Sequence, residues 1–230
     1  DLERLNEEIY KDYTYLFSID GERYYLVEKI SREPLSEFTL ENTEIFRRAD
    51  PQYRAFAGIT GYQLYIWYRD HKYCGRCGHL LEQDGKERML RCRECGNMVY
   101  PKICPAVIIG LTDGSRILMS KYAGRNYKKY ALLAGFAEIG ETLEETVKRE
   151  VMEEVGLKVK NIRYYKSQPW SFSDTLLMGF YCDLDGSDEI TLDREELALA
   201  EWFGREEIPV EPSRDSLTNE MIIKFKNGEV

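Results

Sequence analysis

From position 104 the chain runs into an apolar, β-branched stretch, Cys-Pro-Ala-Val-Ile-Ile-Gly-Leu to 111, which fits a buried strand. Asp113-Gly114 is a hairpin turn signal, and 116–121 (Arg-Ile-Leu-Met-Ser-Lys) reads as the strand that returns from it. Runs at 132–136, 159–167, 176–184 and 199–203 predict further strands. Helical patterns occupy 143–154 and about 216–226. In the first, Leu143, Val147, Val151 and Val155 step along one stripe that can anchor the helix to a sheet. Thr142 and Glu145 form a capping box at its start, and Gly156 stands where a left-handed C-cap belongs. Upstream, 63–68 (Gln-Leu-Tyr-Ile-Trp-Tyr) reads as the end of a helix, while the rest of 1–70 mixes short apolar runs such as 24–27 with polar turns. Many strands with few helices predict an α+β protein whose main domain is an α/β/α sandwich with a mixed sheet. The expected organisation is a small N-terminal α/β region of unknown role over 1–70, a cysteine-bearing module over 71–103, and the main domain over 104–230.

The composition is ordinary for a soluble chain: 43% hydrophobic, 32% charged, with seven prolines among 230 residues. No apolar run approaches the roughly 20 residues that span a membrane. The acidic opening, Asp-Leu-Glu-Arg-Leu-Asn-Glu-Glu, has no apolar signal core, so the expectation is a cytoplasmic protein that does not associate with membranes. Net charge is −9 but uneven. Between Lys72 and Tyr130, 12 Lys/Arg stand against 5 Asp/Glu, a surplus of +7 that leaves −16 for the remainder. Such a basic middle can face an anionic partner or be clustered solvated charge.

Four of the six cysteines have ordered spacing: Cys74-Gly-Arg-Cys77 and Cys92-Arg-Glu-Cys95. Two CxxC knuckles supply four thiolates, which suits tetrahedral zinc at about 2.3 Å per Zn–S bond. Gly75, Gly78 and Gly96 fit the tight turns of such knuckles. The same spacing allows two disulfides, a redox pair or an iron site, and the lack of an export signal favours zinc. With sulfur in all four positions nothing is left open for water, so a zinc here is structural. Cys104 and Cys182, inside apolar runs, are expected to be buried thiols.

The most informative stretch is 135–157, Gly-Phe-Ala-Glu-Ile-Gly-Glu-Thr-Leu-Glu-Glu-Thr-Val-Lys-Arg-Glu-Val-Met-Glu-Glu-Val-Gly-Leu. At about 100° per residue, Glu150, Glu153 and Glu154 fall on one helix face about 100° wide. Three carboxylates side by side repel one another unless a cation compensates, and clustered oxygen donors select hard ions such as Mg²⁺ or Mn²⁺. Arg149, next to Glu153 on the helical wheel, can orient a carboxylate. A solvated acidic helix face is the plain alternative.

This stretch matches without exception the pattern G-x5-E-x7-R-E-U-x-E-E-x-G-U, where U is aliphatic, at Gly135, Glu141, Arg149, Glu150, Val151, Glu153, Glu154, Gly156 and Leu157. Seven fixed residues at about 6% each recur by chance at about 10⁻⁹ to 10⁻⁸ per starting position. The chain thus resembles the Nudix hydrolases, which cleave a nucleoside diphosphate linked to another group. The four-cysteine module, the box, and Ser167-Gln168-Pro169-Trp170 about ten residues after it are together similar to the zinc-ribbon-bearing NADH pyrophosphatases, some of which act on NAD-capped RNA. The likeness covers roughly 65–230.

That resemblance implies metal-dependent hydrolysis of the pyrophosphate of NAD(H) to nicotinamide mononucleotide and AMP, with removal of NAD caps from RNA as a second activity. It also implies roles for particular residues. Glu150, Glu153 and Glu154, with Arg149, are the catalytic set. Glu150, Glu153, Glu154, Glu196 and the carbonyl of Ala134 are the Mg²⁺ or Mn²⁺ ligands, Glu195 making the choice of Glu196 ambiguous. Cys74, Cys77, Cys92 and Cys95 hold one structural Zn²⁺. The substrate wall is Gln168, Pro169, Trp170, Ser171, Phe172, Ser173, Asp174 and Thr175, in which Gln168 and Thr175 supply hydrogen bonds and Trp170 and Phe172 shape. Phe136 and Tyr100 flank the nicotinamide, Tyr100 from a second subunit, so a homodimer is implied; Thr218 adds a contact. Core packing is the alternative for Phe136, and an ordinary helix surface for Thr218. The family's motif carries prolines where this chain has Ser171 and Ser173, and a serine where it has Thr175; two serines should make the loop more mobile. A broader pyrophosphatase acting on ADP-ribose and related diphosphates competes with the dinucleotide reading, and a non-catalytic nucleotide sensor of the same fold is a second class.

Overall fold

The computed structural model describes residues 13–28, 39–124, 129–213 and 216–230. The chain divides into two compact units, Asp1–Lys102 with Ser171–Asp174, and Ile103–Trp170 with Thr175–Val230.

In the first unit, β1 (Tyr13–Ile19) and β2 (Glu22–Val27) pair antiparallel, and α1 (Gln52–Asp70) follows. Leu16 from β1, Leu64 and Trp67 from α1 and Leu90 form one buried cluster, so the apolar 63–68 stretch is the end of a helix and its inner face is core. A three-stranded antiparallel sheet, β3 (Leu81–Gln83), β4 (Leu90–Cys92) and β5 (Met98–Val99), carries the cysteine knuckles. At each knuckle a glycine in the left-handed region lets the chain turn back: Gly78 (φ 77°) donates its N–H to Cys74 O at 2.8 Å, and Gly96 (φ 71°) to Cys92 O at 3.0 Å. Gly75 adopts no such conformation, so the expectation that it serves the turn in the same way is corrected.

The second unit is built on β6 (Cys104–Asp113), β7 (Arg116–Tyr122), β8 (Leu133–Phe136), β9 (Val159–Trp170), β10 (Thr175–Leu184) and β11 (Leu197–Gly204). Their order is β11-β7-β6-β10-β9, with β10 parallel to β6 and the other pairings antiparallel. The sheet is therefore mixed. The edge of β6 opposite β10 is shared: β8 pairs with it over Ala106–Ile109, and β7 over Thr112–Asp113. α2 (Leu143–Val155) covers one face, where Val147, Val151 and Val155 meet Val107, Ile109, Leu111 and Phe180. α3 (Leu217–Lys226) covers the other, where Leu217, Met221 and Phe225 meet Ile108, Ile117 and Tyr181. The valine stripe is fully buried, at about 1.5–3 kcal/mol per such side chain. Thr142 and Glu145 make the reciprocal capping box, and Gly156 ends the helix at φ 69°.

Two strands run further than their apolar patterns suggested. β9 continues through Ser167–Trp170, and Thr175 is the first residue of β10, so the wall motif is a strand end, a four-residue tip and a strand start. Pro169 is tolerated in the ladder because β9 is an edge strand of the sheet. Cys182 is fully buried, and burial pushes its thiol up to about 12. Cys104 is only half-buried, because it opens its strand before the covered stretch begins, and the expectation of a buried thiol is corrected there.

Candidate active site and zinc centre

The four sulfurs of Cys74, Cys77, Cys92 and Cys95 all lie within 4.8 Å of one another. The separations are 3.6 Å between Cys74 and Cys95 and 3.4 Å for both Cys77–Cys92 and Cys77–Cys95. A tetrahedron with Zn–S bonds of about 2.3 Å has edges of about 3.8 Å, so the set is near the size zinc requires. The Cys74 thiol is drawn down to about 6: burial opposes, while backbone N–H groups of Arg76 and Cys77 and the neighbouring thiols favour its thiolate. These four cysteines of a zinc ribbon support a structural zinc.

The carboxylate site is organised by Arg149. Its Nε donates to Glu141 Oε1 at 2.6 Å and its Nη2 to Glu141 Oε2 at 3.0 Å, a two-pronged grip. Nη1 reaches Glu150 Oε1 at 2.7 Å and Glu153 Oε2 at 2.9 Å, and Nη2 also donates to the Phe136 carbonyl at 2.9 Å. One guanidinium thus ties α2 to the end of β8 and to the loop between them. Glu141 is further fixed by the Thr146 hydroxyl (2.9 Å) and the Glu138 N–H (3.1 Å). The Arg149 bonds are the main reason its carboxyl sits at about 2, well below the usual range.

The three box glutamates differ in setting. Glu150 is 8% exposed and Glu154 2%, whereas Glu153 is exposed on the outer rim. Burial pushes the Glu150 carboxyl up; Arg149 opposes this, and the charges of Glu153 and Glu196 add to it. Gly135 explains the first fixed glycine of the pattern: a Cβ there would stand 1.9 Å from the Glu150 carboxyl carbon. The carboxylate occupies the space that any side chain at 135 would fill. Glu196 is exposed in the turn before β11, near enough to act on Glu150 through its charge, and its carbonyl accepts from the Ala123 N–H at 2.8 Å. Among the described residues, the glutamate oxygens do not close into a group as tight as the four thiols.

The alternation of β8 separates two jobs. Gly135 faces α2 and the carboxylates, while Ala134 packs with the α3-side core, which puts the exposed Phe136 on the α3 side as well. Gln168 faces α3, its Oε1 accepting from the Leu217 N–H at 2.7 Å. Thr218, next along that helix, is half-buried. Trp170 and Thr175 are register partners, Trp170 half-buried and Thr175 buried. In the tip that carries the two serines, Ser171 is buried and Ser173 is exposed. The tip, Ser171–Asp174, groups with the first unit: the Arg47 guanidinium lies 4.3 Å from the centre of the Phe172 ring, and Asp174 is 3.9 Å from Lys102. Tyr100, also in the first unit, is exposed and donates its hydroxyl to Glu87 at 3.0 Å.

Sequence reasoning did not single out Glu141 as the partner of Arg149, although its fixed place in the pattern was the available signal. Tyr165, Lys166 and Glu220 were also missed, and nothing in their spacing announces them.

A NUDIX domain model matches residues 102–223, and a model of the NADH pyrophosphatase zinc ribbon domain matches 69–100. The NAD-capped RNA hydrolase NudC of Erwinia tasmaniensis is 41% identical over 162 residues, 70% of this chain and 62% of that protein. Its namesake from Klebsiella pneumoniae is 40% identical over 174 residues, 75% of this chain and 66% of that protein. The match thus spans under two-thirds of the length of these curated relatives. The crystal structure of a NUDIX hydrolase from Nitrosomonas europaea is similar at TM-score 0.51 and 28% identity, over 60% of this chain and 80% of that one.

Proposed function

The chain belongs to the Nudix family, and on that premise we propose that it hydrolyses the pyrophosphate of NAD(H) to nicotinamide mononucleotide and AMP and removes NAD caps from RNA 5′ ends. The observation that carries this reading is the Arg149 network, which gathers Glu141, Glu150 and Glu153 beside a strand whose Gly135 makes room for a carboxylate. The names of the relatives, NAD-capped RNA hydrolase, supply the substrate class.

The donor set suits a hard divalent cation, Mg²⁺ or Mn²⁺: it is all oxygen, and the cradle at Gly135 holds one carboxylate against the backbone. Glu150, Glu153, Glu154, Glu196 and the Ala134 carbonyl would hold it. When bound, such a cation neutralises pyrophosphate oxygens and lowers the pKa of water. Arg149 orients Glu150 and Glu153 and keeps their mutual repulsion in check. One carboxylate of the set takes the proton of the attacking water. Phe136, Trp170 and Thr218 wall the nicotinamide half, and Tyr100 joins them from the partner in a homodimer. Four reduced thiolates at the zinc centre fit a reducing, cytoplasmic setting. The serines at 171 and 173 favour one competing reading, a wider diphosphate range that includes ADP-ribose.

The test is turnover of NADH in Glu153→Gln and Glu154→Gln. Each lowers kcat by at least about 10², the scale of a lost catalytic base or metal contribution. Wild-type turnover in both would take α2 out of the mechanism.

A further inference from the structure

β9 changes phase in mid-strand. Lys166 pairs with Gly179 and Tyr164 with Phe180, so Tyr165 is an extra residue, a β-bulge. Before the bulge Tyr164 packs edge-on to Phe180, a member of the α2-side core, with ring centres 5.6 Å apart. At the bulge Tyr165 packs against Tyr181 of the α3-side core at 5.5 Å. Alternation resumes from Lys166, so Lys166 and Gln168 face α3; with regular alternation through Tyr165 and no bulge, they would share the α2 side with Tyr164.

All three side chains then hold the first turn of α3. The Tyr165 hydroxyl donates to Glu220 at 2.7 Å, and Lys166 Nζ lies 3.0 and 2.8 Å from the two Glu220 oxygens. Gln168 Oε1 accepts from the Leu217 N–H, one of the amides at a helix start that lack a partner within the helix. The spacing suits the purpose: strand residues two apart lie about 6.8 Å from each other, and helix residues three apart rise about 4.5 Å, so one pair spans the other with short side chains. Gly179 lets the helix come close, since a Cβ there would stand 2.7 Å from the Met221 sulfur.

We propose that Gln168 is a positioning residue rather than a substrate ligand: its carboxamide oxygen fixes the first turn of α3, and thereby Thr218, so that β9 and α3 form one wall for the nicotinamide half of the substrate. This rests on the NAD(H) reading above and says what the glutamine of the wall motif does within it.

The test compares full-length Gln168→Met, which keeps length and loses the acceptor, with Gln168→Glu, which keeps acceptor oxygens and loses the NH₂ donor. Hydrogen exchange at the Leu217 amide and NADH kinetics are measured on both and on the wild type. The Met variant exchanges about five- to tenfold faster at Leu217 and raises KM about fivefold with kcat changed less than about twofold. The Glu variant recovers most of both losses. A Glu variant as impaired in KM as Met while its Leu217 amide stays protected would overturn the proposal, because the lost donor must then have served the substrate. Unaltered Leu217 exchange in the Met variant overturns it as well. If the wild type leaves NADH intact, the proposed function fails, and the exchange arm still decides whether Gln168 anchors α3.

Discussion

Replacing Gly135 by alanine separates the catalytic use of the box from its structural use. A Cβ at 135 would sit 1.9 Å from the Glu150 carboxyl carbon and 2.0 and 2.3 Å from its oxygens. Ordinary contact begins near 3.4 Å, so the carboxylate must retreat by about 1.5 Å. The atoms that move are the far end of a flexible side chain. The stability cost therefore lies at the low end of overpacking, about 1 kcal/mol. The retreat takes the Glu150 carboxylate out of the position in which Arg149 holds it at 2.7 Å. A displacement of about 1 Å in a catalytic constellation costs about 10²-fold in rate. Gly135→Ala is thus expected to lower kcat for NADH about 10²-fold while its urea midpoint shifts only slightly. Urea unfolding followed by fluorescence and steady-state kinetics in Mg²⁺ read the two quantities. A variant with kcat within about threefold of wild type would refute the idea that the carboxylate position at 135–150 matters.

Two other features of the molecule give outcomes of their own. The Glu141 carboxyl is held at about 2, against a usual value near 4.5, chiefly by Arg149. A depressed carboxylate contributes stability that is complete above the unfolded value and is lost as pH falls toward the folded one. Urea midpoints should therefore drop between about pH 5 and about pH 2, and Glu141→Gln should flatten that slope; an unchanged slope in the variant counts against the Arg149 grip. Metal analysis of folded protein should find one zinc per chain, with Cys77→Ser or a strong chelator lowering the melting temperature; folded protein without zinc would rule the centre out.

Much of the second unit was legible because each local signal agreed with its neighbours. The valine stripe, Thr142, Glu145 and Gly156 fix α2 at both ends and on its buried face, so a helix carrying Glu150, Glu153 and Glu154 had one way to lie. The knuckle glycines 78 and 96 were readable for the same reason, as short-range turns with a steric requirement. What the pattern hid was long-range. The bulge falls at the pair Tyr164-Tyr165, either of which suits either face, so the phase change that turns Gln168 toward α3 leaves no trace in alternation. Gln168 looked like a free hydrogen-bonding group, and its partner is a backbone amide 49 positions away. The grip of Arg149 on Glu141 required knowing that the loop after β8 folds back over α2. Ser171 read as loop by composition, yet the tip of the hairpin buries it.

The central claim is hydrolysis of a dinucleotide pyrophosphate, and product analysis reaches it most directly. NADH, NAD⁺, ADP-ribose and 5′-NAD-RNA are incubated with the chain in Mg²⁺ or Mn²⁺ and the products resolved by chromatography and mass. The expected products are nicotinamide mononucleotide and AMP in equal amounts from NAD⁺, reduced nicotinamide mononucleotide and AMP in equal amounts from NADH, and nicotinamide mononucleotide with 5′-monophosphate RNA from the capped transcript. NADH left intact while ADP-ribose is split would contradict the claim.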